Sequence, residues 1–288
     1  MHLALLGCGL MGGSFALAAL RSGLVTKVTG YSVPQHSAEH FLQQGVIHQM
    51  ATSAAAAVQK ADVVLIATPV AAIPVVLQQI ASALPQHCLI MDVGSTKRSV
   101  QRAAKKILGA HARFFVPTHP IAGKEQAGHA EPRATLYQDK TVVLCPDADT
   151  DSHALALAHQ LWQHAGARTT ELSAAAHDRG LAAVSHLPHL VAFAYMDALL
   201  NQPDHTALLD LGGPGFRDFS RIAGCEASIW RDILIDNQDE VLPLLNAVRQ
   251  SLDHLEALIT QSQPDVLEPV LQRASQARIH WKKEKNNV

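Results

Sequence analysis

What this chain lacks narrows its function before any motif is read. Lys and Arg number 23 against 25 Asp and Glu, a formal net charge of -2. A nucleic-acid binder carries a basic excess or stripe for the phosphates, and none is present. The four cysteines, Cys8, Cys88, Cys145 and Cys225, lie far apart with no CxxC pair. They are read as buried thiols of a reducing compartment, neither a disulfide frame nor a zinc site. No apolar run reaches the roughly 18 residues of a membrane span. The best, over 63–77, is broken by Pro69 and Pro74. The apolar N-terminus has no positively charged lead, so it is read as a strand and not as a secretion signal. A soluble cytoplasmic protein is expected, with no nucleic-acid or membrane partner. Charged residues make up only 17% of the 288, while apolar residues make up 48%. That is enough to bury the core of one large or two modest domains.

The first half is punctuated by short runs rich in Val, Ile and Leu, over 3–6, 25–31, 61–67, 88–93, 113–116 and 141–145. They do not alternate with polar residues, as expected of strands buried on both faces. Helical segments fall between them, at 14–21, 53–59 and 100–108. This βαβ rhythm predicts a doubly wound, Rossmann-type sheet. A helix over 152–165 and a last strand over 168–172 follow. From Ser173 onward only helical periodicity remains, punctuated by prolines. The expected class is α/β: a dinucleotide-binding domain over 1–172, then an all-helical domain over 173–288.

Gly7-Cys8-Gly9-Leu10-Met11-Gly12 is a G-x-G-x-x-G turn between the first strand and the first helix. The glycines allow a tight turn, close approach of a pyrophosphate, and close helix–sheet packing. The helix N-terminus offers N–H groups to the phosphates. About 20 residues further on, where NAD enzymes carry an acid for the ribose, this chain has Ser32, with Gln35 and His36 following. Without a carboxylate to repel a 2′-phosphate, the reading leans to NADP, with NAD as the alternative. Thr68 and Pro69 end the third strand and are expected to border the cofactor.

Two further segments follow strand ends, where open α/β folds bind ligands. One is Asp92-Val93-Gly94-Ser95-Thr96-Lys97; the other is Thr118-His119-Pro120-Ile121-Ala122-Gly123. A hydroxyl at Ser95 is expected to orient the imidazole of His119. A neutral imidazole there can take a proton from a substrate hydroxyl. The chain has 17 histidines, so it is position that singles out His119. In the helical half, Ser185 and His189 share one helix face in Ser185-His186-Leu187-Pro188-His189. Pro188 has no N–H and is expected to kink that helix. Arg217 and Arg221 are likewise spaced to share a face, and suit a carboxylate-bearing substrate. Trp230 lies one to two turns on.

These runs, in this order and spacing, resemble the prephenate/arogenate dehydrogenases, the TyrA-type cyclohexadienyl dehydrogenases of tyrosine biosynthesis. The resemblance extends to about residue 280. It implies a Rossmann domain, a helical dimerisation domain and a homodimer. It implies oxidative decarboxylation of prephenate to 4-hydroxyphenylpyruvate, or of arogenate to tyrosine, with no metal. By motif, His119 is the acceptor for the ring hydroxyl, and Ser95 supports it and the nicotinamide. Ser185 and His189 contact substrate, Arg221 binds a carboxylate, and Arg217 lies near the pocket mouth. Glu125 keeps the family's acid, whereas Lys124 departs from the small or hydroxylic residue common there. Trp230 looks like a residue offered across the dimer interface. The family domains account for the chain, so neither a fused chorismate mutase segment nor a regulatory tail is expected. Two other readings stand beside this one. A β-hydroxyacid dehydrogenase is disfavoured because no lysine occurs over 173–272. A dinucleotide-sensing regulator leaves the Ser185/His189 and Arg217/Arg221 sets without a purpose.

Overall fold

The computed structural model describes residues 1–122 and 131–286. Six parallel strands form one sheet, in the order β3-β2-β1-β4-β5-β6. They are β1 (His2–Leu6), β2 (Lys27–Tyr31), β3 (Gln49–Met50), β4 (Val63–Ile66), β5 (Leu89–Asp92) and β6 (Phe115–Val116). The intervening helices are α1 (Leu10–Arg21), α2 (His36–Gln43), α3 (Ala54–Val58), α4 (Ile73–Ile80) and α5 (Arg98–Leu108).

The unbroken apolar runs have a direct explanation in the packing. Leu3, Leu5, Val63, Leu65 and Met91 join one core, and Ala4, Leu6, Val64, Ile66 and Ile90 the other. Alternate side chains of each strand therefore enter opposite cores, and both faces need apolar residues. The strand order reverses between β1 and β4, which makes their carboxyl ends the expected ligand crevice.

The later strands do not extend this sheet as the single doubly wound reading expects. β7 (Thr118–Ile121), β8 (Thr141–Leu144) and β9 (Arg168–Glu171) form a second sheet. In it β7 runs antiparallel to β8, and β8 parallel to β9. Pro117 separates β6 from β7, and its carbonyl accepts the Cys145 N–H at 2.8 Å, drawing the chain toward β8. Pro120 is tolerated inside β7 because that strand is an edge. α6 (Ser152–His164) precedes β9, capped by the Asp151 carboxylate on the N–H groups of His153 and Ala154.

After β9 the described residues are helical. α7 (Ala174–Leu181) is capped by the Ser173 hydroxyl on the Ala176 N–H. It passes through a π turn at Ala182–His186 into α8 (Leu187–Leu200). There the Leu187 N–H bonds the Ala182 carbonyl. The predicted disturbance at Pro188 thus takes the form of a slipped hydrogen-bond register just before it. α9 (His205–Asp210), α10 (Pro214–Ser220), a short turn at Arg221–Gly224 and α11 (Ala227–Asp236) follow.

The run from Ala174 to Leu200 is, by length and a hydropathy of 1.2, apolar enough to cross a membrane, which the search for unbroken apolar runs missed. It nevertheless carries buried His177, Asp178 and His186. The chain divides into two compact units, Met1–Gln238 and Asp239–Val288. The second holds α12 (Gln238–Thr260), apart from its first residue, and α13 (Pro264–Asn286). The change from mixed to all-helical structure falls between Glu171 and Ala174, earlier than the division into units.

Candidate active site

The register aligns Leu6 with Ile66 and Ile66 with Asp92. The segments leaving β1, β4 and β5 therefore emerge side by side. In the glycine turn Gly7 has φ 106°, and a Cβ there would lie 2.5 Å from the Ala67 carbonyl oxygen. A Cβ on Gly12 would lie 2.7 Å from the Gly7 oxygen and from Leu5 Cδ1, so α1 sits hard against β1. Gly9 is different: among the described residues a Cβ there would meet nothing within 4 Å. Gly9 also caps α1, and no side chain closes that helix end. Among the described residues no side chain caps the first-turn N–H groups, which suits the cradle a pyrophosphate requires. The Thr68 hydroxyl is buried with no partner among the described residues. Pro69 beside it is exposed. Ser32, buried, accepts the Cys8 N–H at 3.3 Å and ties the end of β2 to the turn. The residues present fit a dinucleotide.

Next to this cradle, Asp92 organises the end of β5. Its carboxylate accepts the N–H groups of Gly94, at 2.8 Å, and Thr118, at 3.1 Å. It also pairs with the Lys97 ammonium, both side chains being fully buried. Lys97 donates a further bond to the Thr118 carbonyl at 2.9 Å. Residue 118 is therefore clamped, and His119 projects from a fixed strand. His119 Nδ1 lies 2.8 Å from His177 Nε2, and His177 Nδ1 lies 2.7 Å from Asp178 Oδ1. Burial holds the His119 imidazole well below its usual pKa, helped by His177, Lys97 and His186. The expectation that Ser95 orients this ring is corrected. The half-buried Ser95 hydroxyl makes no hydrogen bond among the described residues, and His177 occupies the imidazole's Nδ1.

Asp178 also ties the helices to the sheet. Its carboxylate accepts the N–H groups of Lys97 at 2.7 Å and Arg98 at 2.9 Å, at the start of α5. Burial opposes its ionisation, but these bonds and that from His177 outweigh it and lower its pKa. At the end of α11, Asp236 accepts hydroxyl bonds from Thr96 and Ser99. The neighbouring Asn237 accepts from Arg98 at 3.0 Å. Asn237 also donates to the Asp178 carbonyl and to His186 Nδ1. The hydrogen of His186 is therefore on Nε2, which is buried and has no partner among the described residues.

His189 Nδ1 donates to the Ser185 carbonyl at 2.8 Å, which leaves Nε2 as an acceptor. The pair meets on one face as expected, but through the Ser185 main chain. Trp230 stacks on His189 of its own chain, with centroids 3.6 Å apart and planes at 17°. Arg217 lies on α10 and Arg221 opens the turn that follows; both are exposed, and that turn packs on α8. Gly123, Lys124 and Glu125 lie outside the described residues.

The sequence models of two domains match the chain: "Prephenate dehydrogenase, nucleotide-binding domain" over residues 15–171, and "Prephenate dehydrogenase, dimerization domain" over 173–273. The chain belongs to the prephenate dehydrogenase family. The cyclohexadienyl dehydrogenase of Zymomonas mobilis is 32% identical, over 98% of this chain and 96% of that one. The solved structure of Aquifex aeolicus prephenate dehydrogenase, in complex with hydroxyphenyl propionate and NAD+, is 33% identical. Its TM-score is 0.90, over 97% of this chain and 98% of that one. The Synechocystis arogenate dehydrogenase structure is 27% identical with TM-score 0.80, over 98% and 100%.

Reading the sequence for prephenate dehydrogenase motifs gave no role to Asp92 and Lys97, which lie inside a named run, and missed His177, Asp178 and Asn237 altogether. One signal was available. His177-Asp178 is a polar pair that breaks an alanine run, and both side chains are buried. Buried polar neighbours need partners.

Proposed function

We propose that this chain oxidatively decarboxylates prephenate, arogenate or both, with His119 as the base. The enzyme is a nicotinamide-dependent dehydrogenase of its family; the substrate, the preferred cofactor and the residue roles are our reading. The observation that carries it is the His119 imidazole. It is kept neutral by burial, held through Nδ1, and fixed beside the dinucleotide cradle by the clamp on Thr118. Gly7, Gly9, Leu10, Met11, Gly12, Ser32, Thr68, Pro69 and Ser95 are the residues that would hold the cofactor. When bound, the nicotinamide accepts a hydride from the ring carbon that carries the hydroxyl.

His119 takes the hydroxyl proton at Nε2, and the oxygen keeps the electron pair to become a carbonyl oxygen. The ring carboxylate leaves as CO2; its bonding electrons pass into the ring, which becomes aromatic as the carbonyl oxygen takes back an electron pair, and His119 returns the proton to that oxygen to give the phenol. Arg221 anchors a substrate carboxylate, and Arg217 adds positive charge at the mouth. His189 offers its Nε2 and Ser185 its hydroxyl to the substrate, and Glu125 belongs to the same reading. Ser32 leaves no carboxylate to repel a 2′-phosphate, and its hydroxyl retains a hydrogen to donate; NADP is therefore the preferred cofactor. Residues 1–172 serve as the dinucleotide domain and 173–288 as the substrate and dimerisation domain. The homodimer forms through the latter, where Val184, Leu211 and Phe219 are exposed.

The test is a two-by-two assay, prephenate or arogenate against NAD or NADP, following the reduced cofactor. Turnover of neither substrate ends the reading. His119→Asn should cut kcat by about 10²–10⁴, the scale of a lost general base.

A further inference from the structure

We infer that His177 and Asp178 are positioning residues that fix the proton arrangement of His119, leaving Nε2 as its bare nitrogen. This rests on the reading of His119 as the base. The argument starts at the far end of the chain of contacts. The Asp178 side chain takes main-chain N–H bonds from Lys97 and Arg98 and a guanidinium bond from Arg98 at 3.3 Å. Each of these three groups is a donor, so the side chain is a carboxylate and can only accept. The hydrogen in the 2.7 Å contact therefore belongs to His177 Nδ1. With its one ring hydrogen on Nδ1, His177 then presents a lone pair at Nε2. The 2.8 Å contact must be donated by His119 Nδ1–H. A neutral His119 with its hydrogen on Nδ1 has none on Nε2. Each assignment follows from the one before it.

The same chain of contacts serves the step itself. When the substrate O–H bond breaks, its proton goes to Nε2 and His119 becomes a cation beside the buried Lys97. Nδ1–H stays on His119 and continues to donate to His177. The negative charge of Asp178, two rings away, offsets the new positive charge without solvent having to enter. An oriented imidazole backed by a buried carboxylate is a known way to hold a base in its useful tautomer. Asp178 also binds the N-terminal N–H groups of α5, so a purely structural role is the rival account.

The experiment compares His177→Leu, His177→Gln and Asp178→Asn in the full-length protein, reading kcat, substrate KM, cofactor affinity and melting temperature. Leu removes the acceptor for His119 Nδ1–H, whereas Gln offers an amide oxygen in its place. The expected result is a kcat about 100-fold lower in His177→Leu, KM and cofactor affinity within about threefold, and most of kcat retained in His177→Gln. In Asp178→Asn the amide NH2 faces His177 and reverses both hydrogen bonds. The ¹⁵N signal of His119 Nε2, found by difference from His119→Asn, should move from bare-nitrogen to protonated character. Equal kcat in the Leu and Gln variants, whether high or low, overturns the proposal. A lower melting temperature with unchanged kcat and unchanged ¹⁵N signal in Asp178→Asn does the same. The base reading fails separately, if His119→Asn keeps full activity. If His119→Asn is crippled while His177→Leu is not, only the positioning role falls.

Discussion

The Trp230 indole lies flat on the His189 imidazole, with ring centroids 3.6 Å apart. One edge of that imidazole is held by the Ser185 carbonyl and one face by the indole, so its Nε2 can point in few directions. Burial lowers the His189 pKa despite the opposing carbonyl bond, and a neutral ring stacks without a desolvated charge. An aromatic pair contributes about 0.5–1.5 kcal/mol beyond its buried area. Trp230→Ala should therefore raise substrate KM several-fold and leave cofactor KM unchanged, and Trp230→Phe should recover most of the loss. Steady-state kinetics with each ligand varied in turn would check this; an equal rise in both constants would assign Trp230 to general packing.

Acid should affect activity and stability differently. His119 faces His177 on α7, Lys97 from the β5–α5 loop and His186 from the π turn, with Asp178 reached only through His177. Burial and these neighbours keep it unprotonated well below its usual range. The acid limb of kcat/KM should lie below pH 6.5, with a flat profile from there to pH 8.

For stability, burial pushes His186 down to about 4, against the attraction of Asp178. A histidine that is harder to protonate when folded contributes fully above its unfolded value near 6.5. That contribution is lost as pH falls toward 4, on the order of 3 kcal/mol. His119 and His189 act in the same sense. The lowered carboxyl of Asp178 adds its loss only from its ordinary value of 3.8 downward. Denaturant unfolding at pH 7, 5.5 and 4.5 should show a steady decline, shallower in His186→Gln.

What could be seen beforehand divides along the same physical lines. The glycine turn was legible because its constraints are local: a positive φ at Gly7 and a contact at Gly12 that no Cβ can meet. Five of the six strands of the parallel sheet were legible because burial on two faces writes itself as an unbroken apolar run; β3, only Gln49–Met50 and not buried, has no such run. β7 was not, because Pro120 argues against a strand unless its edge position is known. His119 was found from its place after a strand, yet its partner was assigned to Ser95, close in sequence terms to the same crevice. The true partner, His177, is one of 17 histidines and reaches the site only when α7 folds back on the start of α5. Contacts such as Trp230 with His189 depend on how helices pack, which periodicity does not report.

The cofactor cradle can be probed without disturbing the fold. A methyl on Gly9 meets no atom of the described residues within 4 Å, whereas one on Gly7 or Gly12 collides with main chain. Gly9→Ala should therefore melt within a few degrees of the parent while its affinity for the dinucleotide drops at least tenfold, because the methyl enters the space reserved for the pyrophosphate. Gly12→Ala should lose stability as well. Calorimetric titration of cofactor into each variant, beside a melting curve, separates the two effects. A Gly9→Ala protein that binds normally would place the phosphates elsewhere.

Lys97 and Asp92 make the most exacting local demand on the fold. Both side chains are fully buried, and Asp92 also holds the Thr118 N–H that precedes His119. Removing one partner of a buried pair leaves the other charge uncompensated, which costs about 3–5 kcal/mol. Lys97→Met should destabilise on that scale. It should also shift the acid limb of kcat/KM upward, since one of the charges that depress His119 is gone. The double change Asp92→Asn with Lys97→Met removes both charges and should restore much of the stability, because an uncharged pair needs no compensation. It should not restore the original pH limb, since the ammonium near His119 is still missing. Unfolding curves and pH profiles for the parent, the single and the double variant would separate the role of the pair in holding Thr118 from its electrostatic effect on the imidazole.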